Sequence, residues 1–499
     1  MKQLFPYIII TAFVLAACHP NKEENQKPNI LFLLADDQRA STIHALGNDE
    51  IITPNLDKLV SEGTTFQNAY IMGAMNGAVC APSRAMIMSG RPLFNTKIKI
   101  DPNHTTLPKT LEKSGYHSFH IGKWHNGKPA FTNSFSDGDK IFFGGMHGQY
   151  NVPTHQFDST GVYPEENISR LKEKHSSELY VDAGIEFLEN YDSEAPFFMY
   201  MAFQAPHDPR QMPQKYLDMY DTAKLTLPLN FMPQHPFDNG EIDIRDEWLA
   251  GYPRTQAEIK ANIAAYYAMI THLDEQIGRV IQKLEEKGML DNTIIVFSGD
   301  NGLAVGQHGL MGKQNLYEHS INVPLIFNGP GIAKGVTKQD FAYLFDIYPT
   351  LCDMAGVTVP ETVQGQVLPV MKASEMNKRD YMFFAYKHFQ RAVRNDRYKM
   401  IKYNVGDSIT TQLFDLQEDP YETTNLADQE EYSEQMLALT KALDQLMVDN
   451  NDEANINEPK WGVEPIPMWI HKVGKKAEHY RSMANKDRLR RGFGSEEDN

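Results

Sequence analysis

Uninterrupted apolar runs along this chain end in groups of polar residues. The run Asn29–Ala35 is followed at once by Asp36 and Asp37. Two later runs, over 195–203 and 292–297, end close to the polar residues His207, Asp300 and Asn301. An apolar run without alternation predicts a strand that is buried on both faces, as in a parallel sheet. Because ligands of open α/β sheets bind at the carboxyl ends of such strands, the pattern predicts one shared site there.

Helical patterns lie between these runs. The clearest covers 255–287, where apolar residues recur every three or four positions from Ile259 to Leu284 and a glycine, Gly288, follows. Shorter helices are predicted over 53–62, 106–114 and 176–189, and a further strand over 323–327. Strands that alternate with helices predict an α/β fold, with a mostly parallel sheet flanked by helices.

The pattern changes at about Arg379. Short strand candidates follow at hairpin spacing, over 381–386, 391–393, 398–403 and 412–415, and a helix pattern covers about 431–447. This pattern predicts a smaller α+β subdomain with an antiparallel sheet. We therefore expect an α/β domain over 28–378, the subdomain over 379–470 and a charged C-terminal extension over 471–499.

The first residues predict export. A basic start, an apolar run from Leu4 to Val14 and small residues before Cys18 form a signal peptide that is too short to span a membrane. The ending Leu-Ala-Ala-Cys resembles a bacterial lipobox, which implies a signal peptide over 1–17, a lipid on Cys18 and a tether over 18–27. We expect an exported bacterial lipoprotein of the outer membrane, on its periplasmic or cell-surface face. A plain signal peptide with a chance cysteine is the alternative.

The net charge of the chain limits the kinds of molecule that it is expected to bind. The 499 residues carry a formal net charge of −17, which argues against binding of nucleic acid or of an anionic membrane surface. Membrane contact is therefore expected through the N-terminal lipid only. An anionic substrate would need a local cationic site on this acidic protein.

Besides Cys18 the chain has Cys80 and Cys352, and the helix-like surroundings of Cys352 predict an inert buried thiol.

The stretch around Cys80 carries a long motif. It reads Cys80-Ala81-Pro82-Ser83-Arg84, then four residues, then Ser89-Gly90-Arg91. This resembles the signature of the type I sulfatase family, which belongs to the alkaline-phosphatase-like superfamily, and every fixed position is met. The segment 413–426 is also similar to the family, so the resemblance covers about 28–426. It implies a large mixed, mostly parallel sheet flanked by helices.

The resemblance implies covalent chemistry at Cys80. In the family a separate maturation enzyme oxidises this cysteine to formylglycine (3-oxoalanine), and the hydrated aldehyde is the nucleophile. One hydroxyl of the hydrate accepts the sulfuryl group, and loss of a proton from the other expels sulfate and restores the aldehyde. A simple alcohol would instead remain trapped as a stable sulfate ester.

The resemblance also implies a metal ion. Asp36, Asp37, Asp300 and Asn301 match the family's ligands, together with residue 80. Oxygen donors of this kind suit one Ca²⁺, which tolerates a flexible oxygen shell better than Mg²⁺ does. No His/Cys cluster with zinc spacing accompanies them.

Cationic residues complete the implied site. Arg84 should hold the formylglycine hydroxyl, and Lys123, in an element that resembles the family's Gly-Lys-Trp-His, should contact the sulfate. His125 is the expected base that deprotonates the sulfated hydrate. His207, with Lys313, is the expected proton donor to the leaving alcohol. Such preorganised charge would resolve the conflict between an anionic substrate and an acidic protein.

The expected substrate is a sulfated carbohydrate, such as ulvan, carrageenan or a glycosaminoglycan. Candidate sugar contacts, each of which could equally be a packed residue, are His147, His155, Arg210, His308, His388 and Arg391. For His308 a supporting role beside the metal loop is equally open. Two other functions also remain open: a phosphonate or phosphodiester hydrolase of the same superfamily, and a surface glycan-binding lipoprotein whose site is not matured.

Overall fold

A computed structural model describes residues 27–96, 98–371 and 378–458 of the chain. The predicted signal peptide, Cys18 and the predicted C-terminal extension lie outside these residues. Within the described ranges, no helix is both long and apolar enough to cross a membrane. The domain boundaries expected from the sequence stay predictions.

A large sheet of eight strands forms the centre of the fold. Its strands are β1 (Asn29–Ala35), β2 (Thr64–Phe66), β5 (His117–Lys123), β6 (Asp137–Phe142), β7 (Phe197–Ala202), β8 (Thr293–Gly299), β9 (Leu325–Asn328) and β10 (Val336–Lys338). They lie in the order β10-β2-β9-β8-β1-β7-β5-β6, and only β9 runs antiparallel to its neighbours. The predicted mixed, mostly parallel sheet is confirmed.

The central strand β1 shows why its apolar run is uninterrupted. Ile30, Phe32 and Leu34 pack into one hydrophobic cluster, on one face of the sheet. The alternate residues Leu31 and Leu33 pack into a second cluster on the other face. Because successive side chains of a strand point to opposite faces, a strand covered on both sides must be apolar at every position.

Helices lie on both faces of this sheet, and one further helix packs on a second, smaller sheet. The helices are α1 (Pro54–Ser61), α2 (Cys80–Ser89), α3 (Leu93–Thr96), α4 (Leu107–Lys113), α5 (Lys128–Thr132), α6 (Ser176–Asn190), α7 (Gln214–Leu217), α8 (Gln256–Glu286), α9 (Glu318–Ile321), α10 (Ile347–Met354) and α11 (Ser433–Asp449), the last of which packs on the smaller sheet. The long predicted helix is α8, which begins where the Thr255 side chain accepts a hydrogen bond from the Glu258 amide. Its apolar face, including Leu273 and Ile277, packs on the β1 cluster that contains Leu33.

A second sheet joins the end of the chain to its early part. The strands β12 (Met382–Tyr386), β13 (Gln390–Arg394), β14 (Tyr398–Val405) and β15 (Ser408–Asp415) are antiparallel, as predicted. β4 (Gly73–Ala74) adds to this sheet in parallel with β12. A separate short pair is formed by β3 (Ala69–Tyr70) and β11 (Ala342–Tyr343). The small sheet is therefore built from residues on both sides of the predicted boundary.

The apolar pattern alone did not predict β5. This strand reads His-Ser-Phe-His-Ile-Gly-Lys, which looks like a polar surface segment. The polar residues are nevertheless buried: His120 is enclosed by aromatic rings and its Nε2 lies 3.1 Å from the Gly122 carbonyl oxygen. β5 pairs with β7, and this places its last residue, Lys123, beside the ends of the central strands.

Candidate active site

The carboxyl ends of four strands meet at one place in the large sheet. Asp36 and Asp37 follow β1, Asp300 and Asn301 follow β8, and Lys123 ends β5; His207 follows β7. All six side chains are buried. The structure thus brings together the polar residues that the ends of the apolar runs singled out.

Cys80 begins α2 and faces this group. Its Sγ lies 3.6 Å from Lys123 Nζ, 3.6 Å from His125 Nδ1 and 3.8 Å from Lys313 Nζ. Arg84 lies one turn later on the same helix face, where its Nε donates to Asp300 Oδ2 over 2.8 Å. Two residues of one short motif therefore face the same cluster because they are four positions apart on a helix.

The acidic and amide groups leave room for a cation. The Asp37 amide donates to Asp300 Oδ1 over 3.1 Å, and Asn301 Nδ2 donates to Asp37 Oδ1 over 2.7 Å. Two further buried oxygens, Asp36 Oδ1 and Asn301 Oδ1, have no hydrogen-bond partner among the described residues. Ligand atoms of Asp36, Cys80 and Asp300 all lie within 4.8 Å of one another. Unpartnered oxygens beside crowded carboxylates fit a hard divalent cation such as Ca²⁺.

The charges of this cluster perturb one another. Burial raises the pKa of Asp36, but the charges of Lys123, His207 and Arg84 outweigh burial and hold that pKa below its usual range. For Asp300, burial and the neighbouring Asp36 charge raise the pKa to about 6. Crowded carboxylates of this kind are stabilised by cations, whether side chains or a metal ion.

Two lysines supply part of that positive charge. Lys123 Nζ is hydrogen-bonded to Asp36, and Lys313 Nζ donates to Asp37 Oδ1 over 2.5 Å. Burial lowers the pKa of Lys313, but the Asp37 carboxylate more than compensates and holds it well above its usual value. Lys313 is therefore charged, although it is almost completely buried.

The two histidines near Cys80 differ in their surroundings. Burial, together with the charges of Lys123 and Arg84, lowers the pKa of His125 to about 2, so its imidazole is neutral at physiological pH. His207 donates from Nδ1 to the Asp208 carbonyl oxygen over 2.7 Å, which turns Nε2 toward Asp37 Oδ2 at 3.6 Å. The Asp208 contact thus orients the other nitrogen of the His207 ring.

The backbone is held in uncommon conformations at this site. Asp37 has a φ of 67° and His125 a φ of 61°, both in the left-handed region that non-glycine residues rarely adopt. Gly145 packs so closely on the His125 ring that an added Cβ would lie 2.3 Å from Nε2. Such conformations cost about 1–3 kcal/mol each and persist where the surrounding structure imposes them, as at many active sites.

The sequence pattern missed the residues beside His207. The Asp208 carboxylate forms an ion pair with Arg245, and the other side of that guanidinium lies 3.1 Å from Asp246 Oδ1. The Arg245 side chain is 37% exposed, although Asp208 and Asp246 are buried. Arg245 lies in a short 3-10 helix, Arg245–Leu249, whose sequence has no periodicity that could have identified it.

The candidate sugar contacts are scattered. His147 and His155 follow β6, and the His155 ring is buried against Phe143. Arg210 is buried and hydrogen-bonded to Asn262, whereas His388 is exposed between β12 and β13.

Two of the predicted contacts are corrected. His308 is buried, stacks on Tyr317 with ring centroids 3.8 Å apart and donates to the Glu422 carbonyl oxygen over 3.0 Å. Arg391 is fully buried and forms an ion pair with Asp452. Both side chains are used in internal packing, so neither presents a surface to a sugar. Cys352 is a buried thiol, as predicted, and burial raises its pKa to about 12.

Comparison with known proteins identifies relatives over most of the chain. The sulfatase family model matches residues 28–357, and a model of the N-sulphoglucosamine sulphohydrolase C-terminal region matches residues 306–449. An arylsulfatase of Clostridium perfringens is 31% identical over 84% of this chain and 94% of its own. An N-acetylglucosamine-6-O-sulfatase of Bacteroides thetaiotaomicron is 27% identical over 90% and 91% of the two chains. A solved structure in complex with its substrate D-glucosamine-2-N,6-O-disulfate is 25% identical, with a TM-score of 0.72 and coverage of 87% and 100%.

Proposed function

This chain belongs to the sulfatase family and is a sulfuric ester hydrolase, and we propose that it removes sulfate from carbohydrates by means of a formylglycine made from Cys80. The observation that carries the proposal is the environment of residue 80. Burial outweighs the nearby lysines and raises the pKa of the Cys80 thiol to about 11, so the unmodified thiol is a poor nucleophile at neutral pH. Yet this residue lies where the cationic side chains converge. An aldehyde hydrate at position 80 would turn that location into a reactive one.

A divalent cation fits beside it. Asp36, Asp37, Asp300 and Asn301 would hold Ca²⁺, and the two unpartnered oxygens in this set support the assignment. When bound, the ion would supply positive charge. That charge would favour the deprotonated, nucleophilic form of a hydroxyl at residue 80 over its neutral form. The Cys80 sulfur itself is a poor ligand for such a hard cation, and an oxygen in its place would suit the ion better.

Three cationic side chains bind the sulfate in this proposal. Lys123 and Lys313 approach residue 80 from different elements, and Arg84 lies on the same helix. Arg84 is held in place because its Nε donates to Asp300 and one terminal nitrogen donates to the Lys123 carbonyl oxygen over 2.8 Å. Donors that are fixed before the substrate arrives need little reorganisation when charge develops on the sulfate.

The two histidines take the roles of base and acid. His125 is neutral and its Nδ1 lies 3.6 Å from the Cys80 side chain, so it is placed to take a proton from a group at residue 80. His207 Nε2 lies 3.6 Å from Asp37 Oδ2, and in this proposal His207 donates a proton to the leaving alcohol. The Nδ1 contact with Asp208 keeps the His207 ring in that orientation.

Two relatives suggest which sugar to test first. The named activity of one is on N-acetylglucosamine 6-O-sulfate, and a solved neighbour binds a glucosamine disulfate. We therefore propose an O-sulfated glucosamine as the first substrate. Arg245, partly exposed beside His207 and Asp208, is placed to contact the sugar ring of such a substrate.

Export and lipid attachment at Cys18 are also proposed, and the sequence pattern of the first 18 residues is their support.

The proposal is tested on the purified, active protein. Mass spectrometry of the peptide that contains residue 80 should show a mass about 18 Da below that of cysteine, as formylglycine requires by atom counting. Sulfated glucosamines should be hydrolysed faster than matched phosphate or phosphonate esters. Active protein with an unmodified Cys80 would overturn the nucleophile, and a preference for phosphonate esters would overturn the reaction class.

A further inference from the structure

Glu247 holds the loop that carries Lys313. Its two carboxylate oxygens accept hydrogen bonds from two successive backbone amides: Met311 donates to Oε2 and Gly312 donates to Oε1, each over 2.8 Å. Glu247 is only 3% exposed. Lys313 is the next residue along the chain, so this carboxylate anchors the backbone at the base of the lysine.

Arg254 completes this anchor. It donates from a terminal nitrogen to Glu247 Oε2 over 2.6 Å, and from Nε to the Gly309 carbonyl oxygen over 3.2 Å. Its guanidinium lies 3.7 Å from the centre of the Tyr252 ring and also donates to the Ala250 carbonyl oxygen over 2.6 Å. The pair Glu247–Arg254 therefore joins the 3-10 helix region to both ends of the loop 309–312.

The residues on either side of Lys313 fit closely against the same region. A Cβ on Gly312 would lie 2.4 Å from Gln314 Oε1 and 3.0 Å from Glu247 Oε1. Gln314 accepts from the Lys313 amide over 3.0 Å and donates to Asp246 Oδ2 over 2.7 Å. The backbone of Lys313 is thus fixed on both sides, whereas its ammonium group reaches Asp37 and the Cys80 side chain.

We propose that Glu247 and Arg254 are positioning residues, which act on the reaction by setting the place of the Lys313 ammonium group. The inference rests on the proposed role of Lys313 in sulfate binding. A lysine side chain has many rotamers, so its end is precise only if its backbone is fixed and its ammonium group has a partner. The structure provides both: the pair fixes the backbone, and Asp37 receives the ammonium group.

The chain contains a comparable pair whose hydrogen bonds and ion pairs, among the described residues, include no residue of the Cys80 cluster. Asp346 accepts from the Tyr343 and Gln366 amides, each over 2.8 Å, and forms an ion pair with Arg379 at 2.6 Å. The Arg379 guanidinium lies 5.1 Å from the Tyr343 ring. This pair has the same parts as Glu247–Arg254, namely a buried carboxylate, two backbone amides and an arginine over a tyrosine. It therefore controls for the structural effect of removing such a carboxylate.

The experiment compares Glu247→Gln with Asp346→Asn in the matured protein. Both variants should lower the Tm, because each replaces a buried acceptor of two amides with a carboxamide. Only Glu247→Gln should lower kcat on a simple sulfate monoester such as 4-nitrophenyl sulfate, by about 10- to 100-fold, as displacement of a positioned group can do. It should also weaken binding of inorganic sulfate, measured by calorimetry. Equal losses of kcat in the two variants would overturn the inference.

A double-mutant cycle tests whether Glu247 acts through Lys313. In the Lys313→Ala background, Glu247→Gln should cost little further activity, because the group that it positions is gone. The same fold-loss in both backgrounds would overturn the inference. Glu247→Asp keeps the charge on a shorter side chain and should restore part of the activity lost in Glu247→Gln. Full activity of Lys313→Ala itself would contradict the proposed role of Lys313, and so separates that failure from a failure of the positioning pair.

Discussion

The cluster around Cys80 and a second cluster around Lys399 are both made of buried lysine, arginine and carboxylate groups. In the second, which we call the junction cluster, Lys399 Nζ lies 2.8 Å from Glu422 Oε1 and 3.0 Å from Glu318 Oε1. The other oxygens are also satisfied: Tyr70 donates to Glu318 Oε2 over 2.8 Å, and the Glu318 amide donates to Glu422 Oε2 over 2.8 Å. Arg394 adds a further contact to Glu318 at 3.3 Å.

The two clusters differ in what they leave unsatisfied. Each carboxylate oxygen of Glu318 and Glu422 has a partner within the junction cluster. The Cys80 cluster, by contrast, leaves Asp36 Oδ1 and Asn301 Oδ1 without a hydrogen-bond partner among the described residues. Complete pairing is typical of groups that join two parts of a fold, and unpaired buried groups are typical of sites that bind something. Variants of the Cys80 cluster should therefore lose activity, whereas variants of the junction cluster should lose stability.

Cys80→Ala should have the largest effect on activity. Removing the side chain removes the group that accepts the sulfuryl group in the proposed mechanism, so turnover of any sulfate ester should fall by more than about 10⁴-fold, as when other covalent nucleophiles are removed. The Tm should stay close to that of the parent protein, because the surrounding ion pairs do not depend on the thiol. Steady-state kinetics and thermal unfolding measure the two effects. Full activity of this variant would refute the assigned nucleophile.

Lys399→Met should lower stability and leave activity unchanged, which is the reverse of the effect expected for Cys80→Ala. It leaves Glu422 as a buried carboxylate without its cation, although Glu318 keeps Arg394, and this should lower the free energy of unfolding by about 3–5 kcal/mol, the usual cost of breaking a buried ion pair. The kcat of the folded protein should not change, since the cluster does not contact residue 80. Denaturant unfolding gives the first quantity and kinetics at low temperature gives the second. A large loss of kcat without loss of stability would contradict the distinction between the clusters.

Acid should destabilise the protein near the junction cluster. Burial lowers the pKa of His235 to about 4 and that of His308 to about 3, and it holds the pKa of His319 well below its usual value. Below about pH 6.5 the unfolded chain binds protons at these positions and the folded protein does not, so stability falls as the pH falls toward 4. The expected slope is about 1.4 kcal/mol per pH unit for each histidine.

Thermal unfolding between pH 7 and pH 5 measures this slope. His308→Phe should make the decline shallower, because it removes one of the groups that must stay neutral in the folded state. A Tm that does not change with pH in this range would contradict the prediction.

Arg245→Ala should have the smallest effect. The Arg245 side chain is 37% exposed beside His207, so loss of one contact to the sugar should raise KM by about three- to tenfold, with little change in kcat. Arg397→Ala is the matched control, because Arg397 is also partly exposed and paired with a carboxylate, Asp415, but lies in the turn between β13 and β14. An unchanged KM for Arg245→Ala would remove Arg245 from the proposed sugar site.

The parts of this structure that sequence patterns predicted share a simple physical signal. β1 and β8 are buried on both faces and are therefore apolar throughout, and α8 buries one face and therefore repeats every three or four residues. The motif around Cys80 is a short contiguous segment, so it can be recognised from the sequence alone. Those signals were sufficient for the α/β fold and for the polar groups at the strand ends.

The parts that were missed have no local signal. β5 buries polar residues such as His120, which a hydrophobic pattern counts as exposed. Arg245 and Glu247 owe their place to partners far away in sequence, namely Asp208 and the loop that precedes Lys313. The same reason explains the wrong prediction of a sugar contact at Arg391, and why the sequence left two roles open for His308. A polar residue in a loop or a short strand looks like a surface group unless its distant partners are known.

The pairing of β4 with β12 also affects the stage of synthesis at which the second sheet can be completed. Gly73–Ala74 stands shortly before Cys80, but its partner strand residues Ala385–Tyr386 come much later in the chain. That pairing cannot form until the ribosome has passed Tyr386, so the segment leading into α2 lacks one of its neighbours during most of translation. If Cys80 is converted while the chain is still extended, this order of synthesis lengthens the time in which a modifying enzyme can reach it.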